Sequence, residues 1–511
     1  MPLLRKGVLL PVEGVDYSIP ATFVNDRTGF VQNMSYYKGE MRKRVGKTRL
    51  GGQVADASRI MGLGKLELST SKHLVRASKT KFERFNTSIS AWVSIASTDF
   101  SGGDDDFFHF TTVTESGLLI ITNYIDSIRK WTGSGNNAIL GGSPPKAKFC
   151  TYLSPYLVLG YINSGATVNP WKIQWCDTDA PEVWSGGTSG SALASNDTSV
   201  IQNIVKLNEF IAVYKKESLW LARKVETSDI FLLDPIKTGI GLGAQRAVAD
   251  AEGRHYFMGQ NDFYVWNGIR EESIGRAVRD NVFERINRGK IDRCFAVHVQ
   301  HENEIWFFII ISGYDYPNEV WKYNYRLNFW YFDTCDSLTA GITWERVNSE
   351  SWDDDPGPWD SAPDVWDSGT SVANWEDIVF GKSDGYTENV DYSTTNDNSV
   401  AVSSHIISKD FTGDQLEFLK RWLQLDVWGH GPGKMYVDYS TDEGSTWTNI
   451  PYTSSQAYIE FGSITTKVEM YFDIIADKIR FRFRNAESGE NMYIRQFYPY
   501  YLSNEQIMVK R

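Results

Sequence analysis

The feature that most constrains this chain is a recurring unit: a short apolar run, a polar turn, then a second run ending in an aromatic residue. It starts at His73-Leu74-Val75 with Phe82, and returns as Leu118 to Ile121 with Ile128 and Trp131, then Leu157 to Leu159 with Trp171 and Trp175. Phe210 to Val213 with Leu219 and Trp220, Tyr256 to Met258 with Tyr264 and Trp266, Ile305 to Phe308 with Trp321, and Ile378 to Phe380 with Tyr386 complete the series. Successive starts lie roughly 40 to 50 residues apart, with one longer gap before the last, which is the spacing of four-stranded propeller blades. Such a blade is apolar on both faces, so it must stack on its neighbours, and ring closure buries the two that would otherwise be terminal. The expected fold class is all-β: a β-propeller of about seven blades, with six or eight also compatible. An unclosed array of β-sandwiches is the alternative.

Propellers often close by pairing an N-terminal strand with the last blade, and Gly29 to Met34 and Arg42 to Leu50 are the candidate segments. After about Asn398 the rhythm changes. Val400 to Ile407, Gln424 to Trp428, Lys434 to Tyr439, Ala457 to Phe461, Val468 to Ile475, Lys478 to Phe483 and Asn491 to Tyr498 read as strands of a separate C-terminal β-sandwich. The expected division is residues 1–50 as an N-terminal arm with the closing strands, 51–398 as the propeller with an acidic, Trp-rich insertion at 350–377, and 399–511 as the sandwich. A helical period is visible only at Asp280 to Asn287 and at Gly413 to Leu425.

Charge is uneven. Residues 1–50 carry nine Lys/Arg against four Asp/Glu, whereas residues 350–400 carry thirteen Asp/Glu and the single Lys382. A basic arm and an acidic segment in one chain suggest a contact between them, within the molecule or between copies, unless both are separately solvated. The net charge of −12 argues against tight sequence-neutral DNA binding, which needs a basic footprint. Arg5 and Lys6 interrupt the apolar start, so no signal-peptide core is expected there, and no window approaches a membrane span. Cys150, Cys176, Cys294 and Cys335 are widely separated and form no CxxC pair, so reduced, buried thiols are expected.

Motifs with chemical potential resolve mostly into turns. Gly46-Lys47-Thr48 ends like a phosphate loop, but Met41 stands where the earlier glycine belongs and Gly51-Gly52 follows in place of a helix. Ser440-Thr441-Asp442-Glu443-Gly444-Ser445-Thr446-Trp447 matches the Asp-box pattern of sialidases, where it is a turn device. The Asp442 carboxylate is expected to tie down the hairpin, Gly444 to take positive φ, and Trp447 to pack beneath. His298 and His301 lack a third metal ligand nearby, and Asp104-Asp105-Asp106 and Asp353-Asp354-Asp355 lack the ligand spacing of an EF-hand loop. No acid–base pair or nucleophilic triad stands out, so no catalytic, cofactor-binding or metal-binding residue is assigned and no enzyme activity is expected. Trp352-Asp353, Trp359-Asp360, Trp366-Asp367 and Trp375-Glu376 repeat an aromatic–acid pair, and the intervening prolines forbid a continuous helix. The expectation is an extended loop whose indoles dock in grooves, with a sugar-binding strip as the alternative.

Thr238-Gly239-Ile240-Gly241-Leu242-Gly243-Ala244, the run His255 to Gly268, Glu304 to Phe308, Trp321 to Tyr325, the Trp–Asp loop, Phe23-Val24-Asn25 and Arg44-Val45-Gly46 together resemble the tail nozzle or hub proteins of short-tailed bacteriophages. The resemblance covers about residues 1–400. It implies a structural virion protein of the tail, made in the host cytoplasm. Six copies would form a ring below the portal and its adaptor and conduct DNA during ejection without binding it tightly. An acidic bore would suit that role, because it repels phosphate. If the acidic loop faces outward, Arg42, Lys43 and Arg44 of a neighbouring copy are its expected contacts. The competing reading is a glycan-binding or sialidase-like propeller acting on host-surface carbohydrate. No cofactor is expected under either.

Overall fold

The computed structural model describes residues 4–5, 8–9, 14–18, 30–37, 39–68, 71–165, 167–195, 197–225, 230–345, 376–413 and 418–503. The Trp–acid pairs at Trp352, Trp359, Trp366 and Trp375 lie outside the described residues, as does Asp353-Asp354-Asp355.

Five four-stranded antiparallel sheets follow one another in chain order. Blade 1 is Ile60–Glu67, Lys72–Ser78, Phe82–Asn86 and Ala91–Ser94. Blade 2 runs from His109–Val113 to Ala138–Ile139, blade 3 from Lys146–Leu153 to Gly190–Leu193, blade 4 from Ile201–Leu207 to Phe231–Thr238, and blade 5 from Val248–Ala251 to Glu271–Ser273. Blade 6 begins with Phe295–Val299, Glu304–Ile309, Glu319–Asn324 and Phe329–Thr334, and blade 7 with Leu338–Trp344, Asp377–Lys382 and Thr387–Asp391. Each of the seven apolar runs found in the sequence is the second strand of its blade. These strands are covered on both faces, which is why Leu118–Thr122 is buried at every position while the outermost strand Gly190–Leu193 alternates with solvent.

Stacking closes the ring. Met61, Val75 and Phe82 of blade 1 share a cluster with Leu119, Ile121 and Trp131 of blade 2, and Trp344 and Val379 of blade 7 share another with Ile60, Leu74 and Phe85 of blade 1. Each large apolar side chain so buried contributes about 1.5 to 3 kcal/mol relative to exposure. The blades approach closely: a Cβ on Gly64 would sit 2.6 Å from the Phe110 ring of the next blade. The fourth strand of blade 7 is Gly46–Arg49, antiparallel to Thr387–Asp391 with Asp391 opposite Gly46 and Glu388 opposite Arg49. The fold is therefore an all-β, seven-bladed propeller closed by an N-terminal strand, joined to a C-terminal β-sandwich.

The other closing candidate does something else. Phe30–Gln32 lies parallel to the last strand of blade 6, with Gln32 opposite Phe332, and antiparallel to Ser404–Ile407. It welds blade 6 to the sandwich in one ten-stranded sheet that continues through Arg480–Asn485, Lys434–Ser440 and Thr448–Asn449. Asn33 locks the weld: its side-chain carbonyl accepts from the Thr334 amide at 2.8 Å and its amide donates to the Ser403 carbonyl at 2.7 Å. The facing seven-stranded sheet also mixes the two ends, with Met34–Tyr37, Glu40–Lys43, Leu4–Arg5 and Val8–Leu9 joining Tyr493–Ser503, Lys420–His430 and Thr466–Ala476. Trp422, Leu425, Phe481, Phe483 and Phe497 fill the space between the sheets.

Two helical expectations divide. Arg279–Arg285 is a helix that buries Val282 and Phe283. The segment read as helical from Gly413 to Leu425 is instead a strand from Lys420 onward; Trp422, Leu425 and Val427 are fully buried, and pairing along Thr466–Ala476 and Tyr493–Ser503 overrides the local apolar period.

Candidate functional site

Polar side chains concentrate at three places: the seam where the N-terminal strands enter, the interior of blade 6, and the propeller axis. At the seam, the basic triplet expected to reach another copy is largely engaged within its own chain. Lys43 is fully buried, and its ammonium donates to Asn485 Oδ1 at 2.8 Å and to the Glu487 carbonyl at 2.9 Å. Burial pushes its pKa down to about 8. Arg44 forms a bidentate pair with Asp397 at 2.6 and 3.0 Å and also donates to Asn33. Lys47 lies 3.6 Å from Asp397 and 3.7 Å from Glu388. Burial disfavours the Asp397 charge, but hydrogen bonds and charge from Arg44 and Lys47 overcome it and hold the carboxyl below its ordinary range. The basic arm and the far end of the acidic segment thus meet inside the molecule. Lys43 and Arg44 are buried and engaged within the chain, Lys43 at the end of its strand and Arg44 by Asp397 and Asn33; Arg42, opposite Ser35 and Tyr493, is half-buried. Gly46-Lys47-Thr48 is this closing strand, with no helix after it.

Blade 6 holds the densest buried ionic cluster. Lys322 and Asp333 pair at 2.5 Å with both side chains about 4% exposed, and the Lys322 ammonium sits 3.9 Å above the Trp306 ring. Glu304, on the neighbouring strand, accepts from Trp306 Nε1 at 2.7 Å and from the Tyr331 hydroxyl. Burial, followed by the nearby Glu302 charge, raises its carboxyl well above the ordinary range. A cavity of about 30 Å³ beside this cluster is lined by Trp306, Phe308, Val320 and Phe380, which leaves space for little more than one water. The cluster has no room for a substrate.

The Asp box behaves as a turn. Asp442 Oδ1 accepts from the Ser440 hydroxyl at 2.7 Å and the Thr446 amide at 2.9 Å, and Oδ2 accepts from the Thr446 hydroxyl at 2.6 Å. These bonds, led by the Thr446 side chain, lower its pKa to about 2. Gly444 has φ +93°, and the Arg482 guanidinium lies 4.5 Å from the Trp447 ring. Both oxygens of the carboxylate accept hydrogen bonds from its own hairpin.

The histidine pair separates. His298 Nε2 lies 3.3 Å from the Tyr325 hydroxyl and His301 Nε2 contacts the Tyr392 hydroxyl, so the two imidazoles point at different partners. Among the described residues, no group of three or more His, Cys, Asp or Glu side chains is placed to hold a metal ion. Asp104 and Asp105 meet cations of the protein instead: Asp105 bonds Arg293 at 2.9 Å, and Asp104 bonds Lys79 at 3.4 Å. Burial pushes the thiols of Cys150, Cys294 and Cys335 up to about 12 and that of Cys176 to about 11.

The axis was not legible in the sequence. A chamber of about 450 Å³ lies among the innermost strands and is lined in part by Lys65, His109, Thr111, Asn203 and Arg246, contributed by four blades. Single polar residues near the start of separate inner strands share no motif, so only the fold brings them together.

No family model and no curated protein matches this chain. Similar solved structures include the Pan2 WD40 domain of Neurospora crassa, 8% identical with a TM-score of 0.39 over 70% of this chain and 97% of that one. The AfRom2 CNH domain is 11% identical with a TM-score of 0.38, over 68% of this chain and 99% of that one. PorZ of the type-IX secretion system of Porphyromonas gingivalis is 9% identical with a TM-score of 0.36, over 79% of this chain and 46% of that one. The propeller itself is established by the strand pairing above.

Proposed function

We propose that this chain is a structural subunit of a short-tailed phage tail, six copies of which close a ring that conducts DNA as it leaves the virion. The observation that carries the reading is the ten-stranded sheet running from blade 6 into the sandwich, which makes propeller and sandwich one stiff body suited to forming a wall. The residues behind the tail-protein resemblance build that body. Trp266, Trp321 and Phe308 are buried in blades 5 and 6, and Leu242 and Ala244 pack between blades 4 and 5 or beside the core of blade 6. The net charge of −12 suits a bore that keeps phosphate from adhering. In this reading the neighbours are the portal adaptor and other tail proteins, and the chain turns over no substrate. Among the described residues no helix is long and apolar enough to cross a membrane.

The test is the particle formed by the purified full-length chain. Light scattering and electron microscopy should show rings of several hundred kilodaltons, and titration with duplex DNA at low salt should show no sub-micromolar binding. A stable monomer, or tight duplex binding that weakens steeply with salt, would overturn the proposal. A monomer that binds or hydrolyses a glycan would favour the carbohydrate reading.

A further inference from the structure

The axial chamber contains a cation that, among the described residues, has no ion-pair partner. At the end where the inner strands begin, cations come from several blades. Arg59 precedes the inner strand of blade 1, Lys148 lies in that of blade 3, and Arg246 and Arg293 precede those of blades 5 and 6. The loop carrying Asp104 and Asp105 serves most of this charge: Asp105 reaches Arg293 at 2.9 Å and Arg59 at 3.8 Å, and Asp104 reaches Arg59 at 4.0 Å. Arg246 is left out. Among the described residues it forms no ion pair, and its guanidinium donates only to the carbonyls of Thr339 at 2.8 Å and Arg293 at 3.4 Å while lying 3.8 Å above the Phe107 ring. Its Nε is buried without a hydrogen-bond partner.

His109 repeats the pattern. It lines the same chamber, and its Nε2 is likewise buried and unpartnered. Burial, then the charges of Arg246 and Lys148, push its pKa down to about 3, so it is a neutral imidazole able to donate one hydrogen bond. Burial and the neighbouring Arg59 push Arg246 down to about 9. A nearby carboxylate, Asp292, acts on Arg246 through its charge but makes no ion pair with it. A guanidinium without an ion-pair partner in a low-dielectric site destabilises the fold, and buried polar atoms without partners mark the place of a missing group. A chamber of about 450 Å³ is far larger than one water and holds a small molecule.

We propose that the axial chamber is a binding site for a small oxyanion of the phosphate or carboxylate class, held by charge from Arg246 and a hydrogen bond from neutral His109. Thr111 and Asn203 line the same space, and the Glu67 carboxylate that also lines it is paired with Lys65 at 2.8 Å. The site is independent of the ring-forming role, and it is too small for a nucleic-acid duplex.

The experiment uses the full-length chain, with inorganic phosphate and succinate as probes against chloride at matched ionic strength. The melting midpoint should rise by roughly 3 °C at a hundredfold excess over Kd with at least one probe. Arg246→Met should abolish that rise and, in chloride, melt no lower than the parent, because it removes a buried charge without an ion-pair partner. His109→Phe should weaken binding roughly tenfold. Arg421→Gln, which touches only an exposed pair with Asp473 in the sandwich, should respond as the parent does. If Arg246→Met does not fold, broadening of the phosphorus resonance of inorganic phosphate by the parent, and its loss with His109→Phe, supplies the same answer. An equal rise in parent and Arg246→Met, no rise with either probe at tens of millimolar, or displacement of phosphate by a duplex oligonucleotide would overturn the proposal.

Discussion

Blades 1 to 5 and blades 6 and 7 have the same four-stranded plan but opposite economies of chain. In the first group every strand pairs with its immediate neighbour in sequence, and the seams are mainly apolar, with the buried Lys215–Asp197 pair between blades 3 and 4 as an exception. In the second, blade 7 borrows Gly46–Arg49, blade 6 is extended by Phe30–Gln32, and the seams carry buried ions such as Arg44–Asp397 and Lys322–Asp333. Local closure needs only generic apolar faces. Closure by a distant segment has to choose that segment over every other strand in the chain, and directional, charge-assisted bonds provide the choice at the expense of desolvation.

Removal of residues 1–49 tests this contrast most severely. It leaves blade 7 with three strands in its main stack and strips Met34–Tyr37 and Glu40–Lys43 from the sandwich. The truncated chain should lack a cooperative melting transition, and a transition like that of the intact chain would end the distinction. Next in size are single substitutions in the two regions. Lys322→Ala should cost about 3 to 5 kcal/mol by stranding Asp333, whereas Lys322→Met with Asp333→Leu should recover most of the loss. Trp266→Ala, on the local side, should cost a similar 3 to 5 kcal/mol as a lost core aromatic, with no partner substitution able to restore it. Denaturant melts of the three variants separate an ionic seam from an apolar one; a double substitution no more stable than Lys322→Ala would erase the difference.

A smaller effect is expected from acid. His255 is buried, donates from Nε2 to the Lys206 carbonyl and accepts from the Tyr214 hydroxyl at Nδ1, each at 2.9 Å, and burial lowers its pKa to about 4. Burial likewise lowers His405 in the sandwich to about 4. The unfolded chain takes up these protons first, so their contribution is complete above about pH 6.5 and is lost progressively as pH falls toward 4. His255→Gln should flatten the stability slope between those values, and an unchanged slope would count against neutral burial. The smallest change is expected for Asp442→Ala at the exposed hairpin. Its penalty should be full above about pH 4, the ordinary carboxylate range, and should vanish as pH falls through about 2. Thermal melts of parent and variant across that range check the convergence.

The same contrast explains what could be read in advance. The second strands, and most of the aromatic third strands, were legible because both faces are covered and the apolar signal is continuous, as in Leu118–Thr122. The fourth strands were not, since Gly190–Leu193 and Glu271–Ser273 face solvent and carry little period. The role of Asp442 in the Asp box could be read because its hydrogen-bond partners Ser440 and Thr446 lie within four residues. Sequence proximity could not reveal that Asn33 meets Thr334 or that Lys43 meets Asn485, pairs separated by 301 and 442 positions. The charge asymmetry between the ends did indicate a meeting, and the fold specifies it as Arg44 and Lys47 against Asp397 and Glu388. His109 and Arg246 carried no signal at all.

The interleaved ends impose a timetable on synthesis. Residues 30–49 leave the ribosome long before their partners: Gly46–Arg49 finds its partner only after Asp391 appears, and Lys43 only after Asn485. At about 5 to 20 residues per second the wait is roughly twenty seconds to a minute and a half. Throughout it, three or four strands with unpaired edges stand exposed. Arg42, Lys43, Arg44, Lys47 and Arg49 crowd this segment, and charge of one sign on waiting strands keeps nascent copies from pairing with one another. The cations that later become the buried seam therefore serve first as the segment's protection against aggregation.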